Sequence, residues 1–167
     1  QSQGTDDYSG GGAIYVAGDG TDISKSTFTN SKSKKYGGAI FVAGKNTNIA
    51  GSNFTSNHAE NSAGAIYISK YEVVVNNKKV TFEAQNTTIE DCLFNTNDAV
   101  MSGGAVRVSG TNSTISRSHF NNNKVTTGGT GDDRAVGGAL YIDGINATVQ
   151  YSSFTENTAN SRGGAVY

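Results

Sequence analysis

A four-residue tag, Gly-Gly-Ala followed by an aliphatic residue, recurs six times and constrains the fold more than any other feature. The copies are Gly11-Gly12-Ala13-Ile14, Gly37-Gly38-Ala39-Ile40, Ala63-Gly64-Ala65-Ile66, Gly103-Gly104-Ala105-Val106, Gly137-Gly138-Ala139-Leu140 and Gly163-Gly164-Ala165-Val166. Counted from the second glycine, the steps are 26, 26, 40, 34 and 26 residues, so one 26-residue unit repeats with insertions of 14 and 8 residues. A unit this short cannot enclose a core alone, so neighbouring copies must stack and share one. That sharing also explains how an apolar content of only 35% suffices, since each unit needs few inward side chains.

Each unit carries two extended segments. The first follows the tag, as in Ala13-Ile14-Tyr15-Val16 and Ala65-Ile66-Tyr67-Ile68, with aliphatic residues two apart and β-branched side chains prevailing. This is a strand with Ile14, Val16 and their equivalents inward and the Tyr column outward, a column that tolerates Arg107. The second segment leads to a phenylalanine: Ile23 to Phe28, Ile49 to Phe54, Ile89 to Phe94, Ile115 to Phe120 and Val149 to Phe154. The aliphatic residue, a small Ser or Cys two before Phe, and Phe itself are constant in type and point inward. Their odd spacing implies a bend or bulge between them.

Two or three short strands per 26 residues, without helices and bounded by Gly or Asn, describe an all-β fold, a right-handed parallel β-helix (solenoid) of about five to six coils. Coils pairing at about 4.8 Å make a column roughly 24 Å tall. The absence of proline fits, because each proline would remove a ladder hydrogen bond. The tag glycines supply backbone angles or close approach that a Cβ forbids, and Ala63 makes the second glycine the stricter requirement. Stacking turns columns into ladders: Phe28, Phe54, Phe94, Phe120 and Phe154 form an aromatic stack, and Asn57, Asn97, Asn123 and Asn157, below Ser31, form hydrogen-bonded amides at a corner. The whole of 1–167 reads as one β-helix domain, with insertions at about 70–84 and 124–136. Its last tag begins a coil that these residues do not finish, which suggests a segment of a longer column or an end covered by another chain.

Thirteen basic and 14 acidic residues leave a net charge of -1, which offers no long-range attraction for nucleic acid or anionic membrane. Lys32, Lys34 and Lys35 read as a solvated turn. Polarity comes instead from Ser, Thr and Asn, as in secreted and surface repeat proteins. Four sequons make Asn53, Asn86, Asn112 and Asn146 glycosylation candidates, although an Asn/Thr-rich repeat also creates such triplets by chance. Cys92 is the only cysteine; it occupies a column of serines and reads as a small core position, not a nucleophile. No segment has the composition of a signal peptide, membrane span or anchor.

The pair of motifs, Gly-Gly-Ala-aliphatic and Phe-x-x-Asn (Phe54 to Asn57, Phe94 to Asn97, Phe120 to Asn123, Phe154 to Asn157), resembles the repeats of chlamydial polymorphic membrane proteins. Similar repeats occur in adhesin-like surface proteins of methanogenic archaea, which the Asn/Thr-rich lead-ins resemble more closely. The resemblance implies a right-handed β-helix at the cell surface, commonly in adhesion. Ser31 in place of Asn and Ala63 in place of Gly depart from the pattern.

Candidate contact residues lie first in the 14-residue insertion, where Tyr71-Glu72-Val73-Val74-Val75 and Val80-Thr81-Phe82 flank Asn76-Asn77-Lys78-Lys79. The pattern predicts a hairpin projecting from the column. Tyr71, Glu72, Val74, Asn76, Asn77, Lys78 and Lys79 are its partner-binding candidates; the alternative is a decoration packed on the outer wall. The outward column of Tyr15, Phe41, Tyr67, Arg107, Tyr141 and Tyr167 predicts an exposed aromatic stripe for sugar rings or a protein partner, with cross-coil stabilisation as the alternative. The second insertion holds Asp132 and Asp133, which invite comparison with β-helix polysaccharide enzymes but lack a residue to orient them. His58 and His119 take outward positions otherwise filled by Thr, Ser or Asn, too few for a metal site. No catalytic, cofactor-binding or metal-binding residue is therefore assigned.

The expected function is a non-enzymatic cell-surface adhesin or structural stalk segment, extracellular, contacting a surface protein or glycan of another cell without itself inserting into a membrane. The alternatives are a self-assembling filament subunit that stacks end to end and a carbohydrate-active β-helix enzyme.

Overall fold

The computed structural model describes residues 10–126 and 135–167. Five stacked coils each lay one strand into each of four parallel sheets, and a separate two-stranded antiparallel sheet stands outside them. Each coil therefore holds four short strands, where the sequence predicts two or three. The tag sheet contains Ile14–Val16, Ile40–Val42, Ile66–Ile68, Val106–Val108 and Leu140–Ile142, and a bridge from Leu140 to Val166 continues it into the sixth tag. Next come the aliphatic sheet, from Asp22–Ser24 to Thr148–Gln150, and the phenylalanine sheet, from Thr27–Thr29 to Ser153–Thr155. A short sheet of residue pairs, from Lys32–Ser33 to Thr158–Ala159, closes the coil. The register is the one the repeat dictates, with Phe28, Phe54, Phe94, Phe120 and Phe154 opposite one another.

The odd spacing between the aliphatic residue and Phe resolves as a bend rather than a bulge. Lys25, Gly51, Asp91, Arg117 and Tyr151 take left-handed backbone angles, with φ between 46° and 57°, and swing the chain from one sheet to the next. The tag glycines divide two tasks. The first, as at Gly37 and Gly103, has positive φ, and Ala63 adopts the same conformation at φ 63°. The second lies against the next coil: a Cβ on Gly38, Gly104 or Gly138 would meet a glycine carbonyl oxygen of that coil at 2.0 Å. Alanine can accept the strain of the first position, whereas the second admits no side chain without parting the coils.

Both expected ladders form. Successive Phe rings stack with centroids 4.6–4.9 Å apart and interplanar angles of 7–9°. Asn97, fully buried, donates from Nδ2 to Asn123 Oδ1 at 3.0 Å and to the Phe54 carbonyl at 2.9 Å. Its Oδ1 accepts from the Asn57 backbone N–H and side-chain amide at 3.0 and 2.9 Å. Each buried amide is thus satisfied on both sides, as a low-dielectric interior requires. The serine column forms a third ladder that sequence reading missed. Ser118 Oγ donates to the Ser116 carbonyl at 2.9 Å and accepts the Cys92 N–H at 3.2 Å. Cys92 is buried, and desolvation above all raises its thiol pKa, which suits a core position.

Candidate contact surface

The first insertion breaks the repeat most visibly. Ser69 hydrogen-bonds to Val42 as Ser109 does to Ile68, and Gln85 pairs with Thr111, so the inserted residues are 70–83. They form an antiparallel hairpin, Tyr71–Val75 with Lys78–Phe82. Asn76 and Asn77 both have positive φ, 51° and 58°, the requirement of a two-residue turn matched to strand twist and one that Asn meets well. Glu72 accepts from Lys79 Nζ at 2.7 Å and lies 3.8 Å from Lys70 Nζ. The Lys79 contact is the main cause that lowers the Glu72 pKa.

The base of this hairpin lies against the outer wall. Tyr71 and Phe82 pack on a second apolar cluster of Phe41, Ala43, Ala63 and Tyr67, and Tyr36 joins it. Tyr71 meets Tyr15 edge to face at 5.5 Å. The expected exposed stripe is therefore corrected at two positions. Phe41 is 1% and Tyr67 9% exposed, against 38% for Tyr15, because the insertion covers them. The ring faces are also engaged by one another: Tyr15 stacks on Phe41 at 5.2 Å, Tyr36 on Tyr67 at 4.8 Å and Tyr141 on Tyr167 at 5.4 Å. Stacking of this kind turns those ring faces toward one another, whereas Phe41 meets Tyr67 edge to face at 5.3 Å.

Arg107 fits this column by a different chemistry. Its guanidinium carbon lies 5.5 Å from the Tyr67 ring centre and 4.5 Å from that of Tyr141. Nη2 donates to Asp143 at 2.6 Å and Nε to Ser109 at 3.2 Å. A planar cation between two rings continues the stack, and Asp143 balances its charge.

The sequon asparagines have a structural role of their own. Asn46, Asn86, Asn112 and Asn146 occupy one corner with φ of 54–55° and donate amide to amide along it, at 2.9, 3.3 and 3.2 Å. A left-handed Asn, an inward residue such as Thr87 or Ser113, and an outward Thr on the next strand spell a sequon whatever the cell does with it. Asn46 holds the same corner without forming one. Asn53 differs, being exposed on the outward face of its strand.

His58 lies in a column with Lys32, Asp98, Lys124 and Thr158, which is mostly charged where the sequence suggests Thr, Ser or Asn. Its Nδ1 is 2.7 Å from Asp98 Oδ2, a cross-coil contact. His119 Nδ1 is 2.7 Å from Ser153 Oγ. Among the described residues no group of three or more His, Cys, Asp or Glu is placed to hold a metal. Asp132 and Asp133 lie outside the described residues. Among the described residues no helix is long and apolar enough to cross a membrane.

Residues 151–167 match the family model of the Chlamydia polymorphic membrane protein repeat. The match spans Phe154, Asn157 and the tag from Gly163 to Val166, the two motifs whose ladders build the column. No curated protein and no solved structure matches the chain.

Proposed function

We propose that the chain is a non-enzymatic segment of a surface-displayed β-helix, an adhesin-like column that contacts a protein or glycan of another cell. The repeat it matches is that of a surface-protein family rather than an enzyme family, which supports the coarser part of this reading. The observation that carries the finer part is the hairpin at 70–83. It departs from the repeat, seats its aromatic base on the wall through Tyr71 and Phe82, and presents Val74, Lys78 and Lys79 outward. A rigid column with an arm set on its side suits display and contact; extra loops on a solenoid concentrate at such faces.

The test uses the repeat's own geometry. Joining Ser69 directly to Ala84 restores the spacing seen at Ser109 and Gly110, so a Δ70–83 chain retains all five coils. Beads coated with either chain are incubated with candidate host or neighbour cells. Capture by the intact chain that falls at least tenfold on deletion supports the reading; equal capture by both overturns the hairpin's role.

A further inference from the structure

The hairpin tip is held differently from the column behind it. Strands of the inner coils pair on both sides, as Asn48–Ala50 does with Asp22–Ser24 and Thr88–Glu90. Among the described residues, Lys78–Phe82 pairs only with Tyr71–Val75. The contacts that seat the hairpin lie at its base, where Tyr71 and Phe82 pack on Phe41, Ala43, Ala63 and Tyr67. Asn76, Asn77, Lys78, Lys79, Val80 and Thr81 are exposed. The tip can therefore open while the base stays seated and no coil parts, because a two-stranded ribbon is marginally stable by itself. Local opening is what admits a folded chain to a protease, and exposed tips are where nicking concentrates.

We propose that the Lys78–Lys79 bond at this tip is a processing site for an endopeptidase that selects basic side chains. Hydrolysis adds one water across the peptide bond, leaving a carboxylate on Lys78 and an amine, largely protonated at neutral pH, on Lys79. Glu72 accepts from Lys79 Nζ at 2.7 Å within the same hairpin, so that ion pair belongs to the part that opens.

Other basic residues are protected by the stacking. Lys25 and Arg117 donate their N–H groups to Ala50 and Gln150 of neighbouring coils, at 2.9 and 3.2 Å. The Lys35 carbonyl accepts from Asn61 and Ser62, and Lys124 pairs with Asp98 on one side and Thr158 on the other. Lys70 sits between Ser69, bonded to Val42, and Tyr71, seated on the wall. A cut at any of these requires coils to part or the base to lift.

Cutting the tip removes the closure that holds Val75 to Lys78, and the outer end of the ribbon frays. The two pieces stay joined by coil pairing, as between Ile66–Ile68 and Val106–Val108. The surface of Val74, Lys78 and Lys79 is thereby switched off while the column persists, a step that rests on the hairpin being the contact element.

Brief digestion of the intact, folded chain with a lysine-specific endopeptidase, followed by mass spectrometry and gel filtration, tests this. The expected first products are residues 1–78 and 79–167, or the adjacent cut after Lys79, eluting together in native buffer and apart in urea. Lys78→Gln combined with Lys79→Gln should slow that first cleavage at least tenfold and leave the thermal melt unchanged. A first cut after any other lysine overturns the inference, as does a double variant cleaved as fast as the original chain, or pieces that separate without denaturant. Bead capture of cells should fall at least tenfold once the tip is cut. Equal capture before and after the cut overturns the switch. If deletion of 70–83 still abolishes capture, the contact reading stands without it; if deletion also changes nothing, that reading fails as well.

Discussion

At the scale of single residues, the buried amide ladder and an inward hydroxyl column make opposite predictions. Asn97 gives two donors and one doubly used acceptor to its neighbours. Asn97→Ala strands the Asn57 backbone N–H and one of its two side-chain N–H groups, the other still reaching the Phe28 carbonyl at 3.0 Å; the cost expected is about 3 kcal/mol, read as a lower midpoint in urea. Thr47, Thr87 and Ser113 are also buried, and their hydroxyls have no hydrogen-bond partner among the described residues. Thr87→Val keeps the shape and removes the desolvated group, so it should be neutral or stabilise by up to about 1 kcal/mol. A loss of stability on that change would reveal a bound water. The Asn ladder was legible in the sequence because one residue type recurs at one phase. The left-handed corners were not, because Lys25, Asp91, Arg117 and Tyr151 share no chemistry; the stacked neighbours impose their backbone angles.

At the scale of elements, the hairpin adds a second core to the outside of the column. Its effect extends to Tyr15, whose pKa is raised, chiefly by burial and secondarily by Tyr71. The folded state holds that proton more tightly than the unfolded chain. The resulting stability is fully present below the ordinary tyrosine range near about 10 and is lost as pH climbs above it. Thermal melts from neutral to strongly alkaline pH should show this decline, and Tyr15→Phe should flatten it. The hairpin itself was readable from two β-rich runs about Asn76-Asn77. Its resting place was not, since nothing local in Tyr71 or Phe82 says that their partners are Phe41 and Tyr67.

For the molecule as a whole, each coil touches chiefly the coils beside it, so stability should grow by units. Deleting residues 38–63 removes one 26-residue turn and joins Gly37 to Gly64 in register. That chain should fold with the same strand signature and a urea m-value lower by about one fifth. Deleting half as many residues should abolish folding, because the Phe and Asn columns would lose phase together. A surviving half-turn deletion would show that coils are held by less than their ladders.

The sequence by itself determined the unit, its register and its inward columns, because a stacked repeat writes every core position several times over at one spacing. Tertiary structure alone decided the rest. It placed the insertion over Phe41 and Tyr67 and turned the ring faces onto one another in place of solvent. Those outcomes depend on contacts made once, between segments with no repeated partner, and a single contact leaves no period to read.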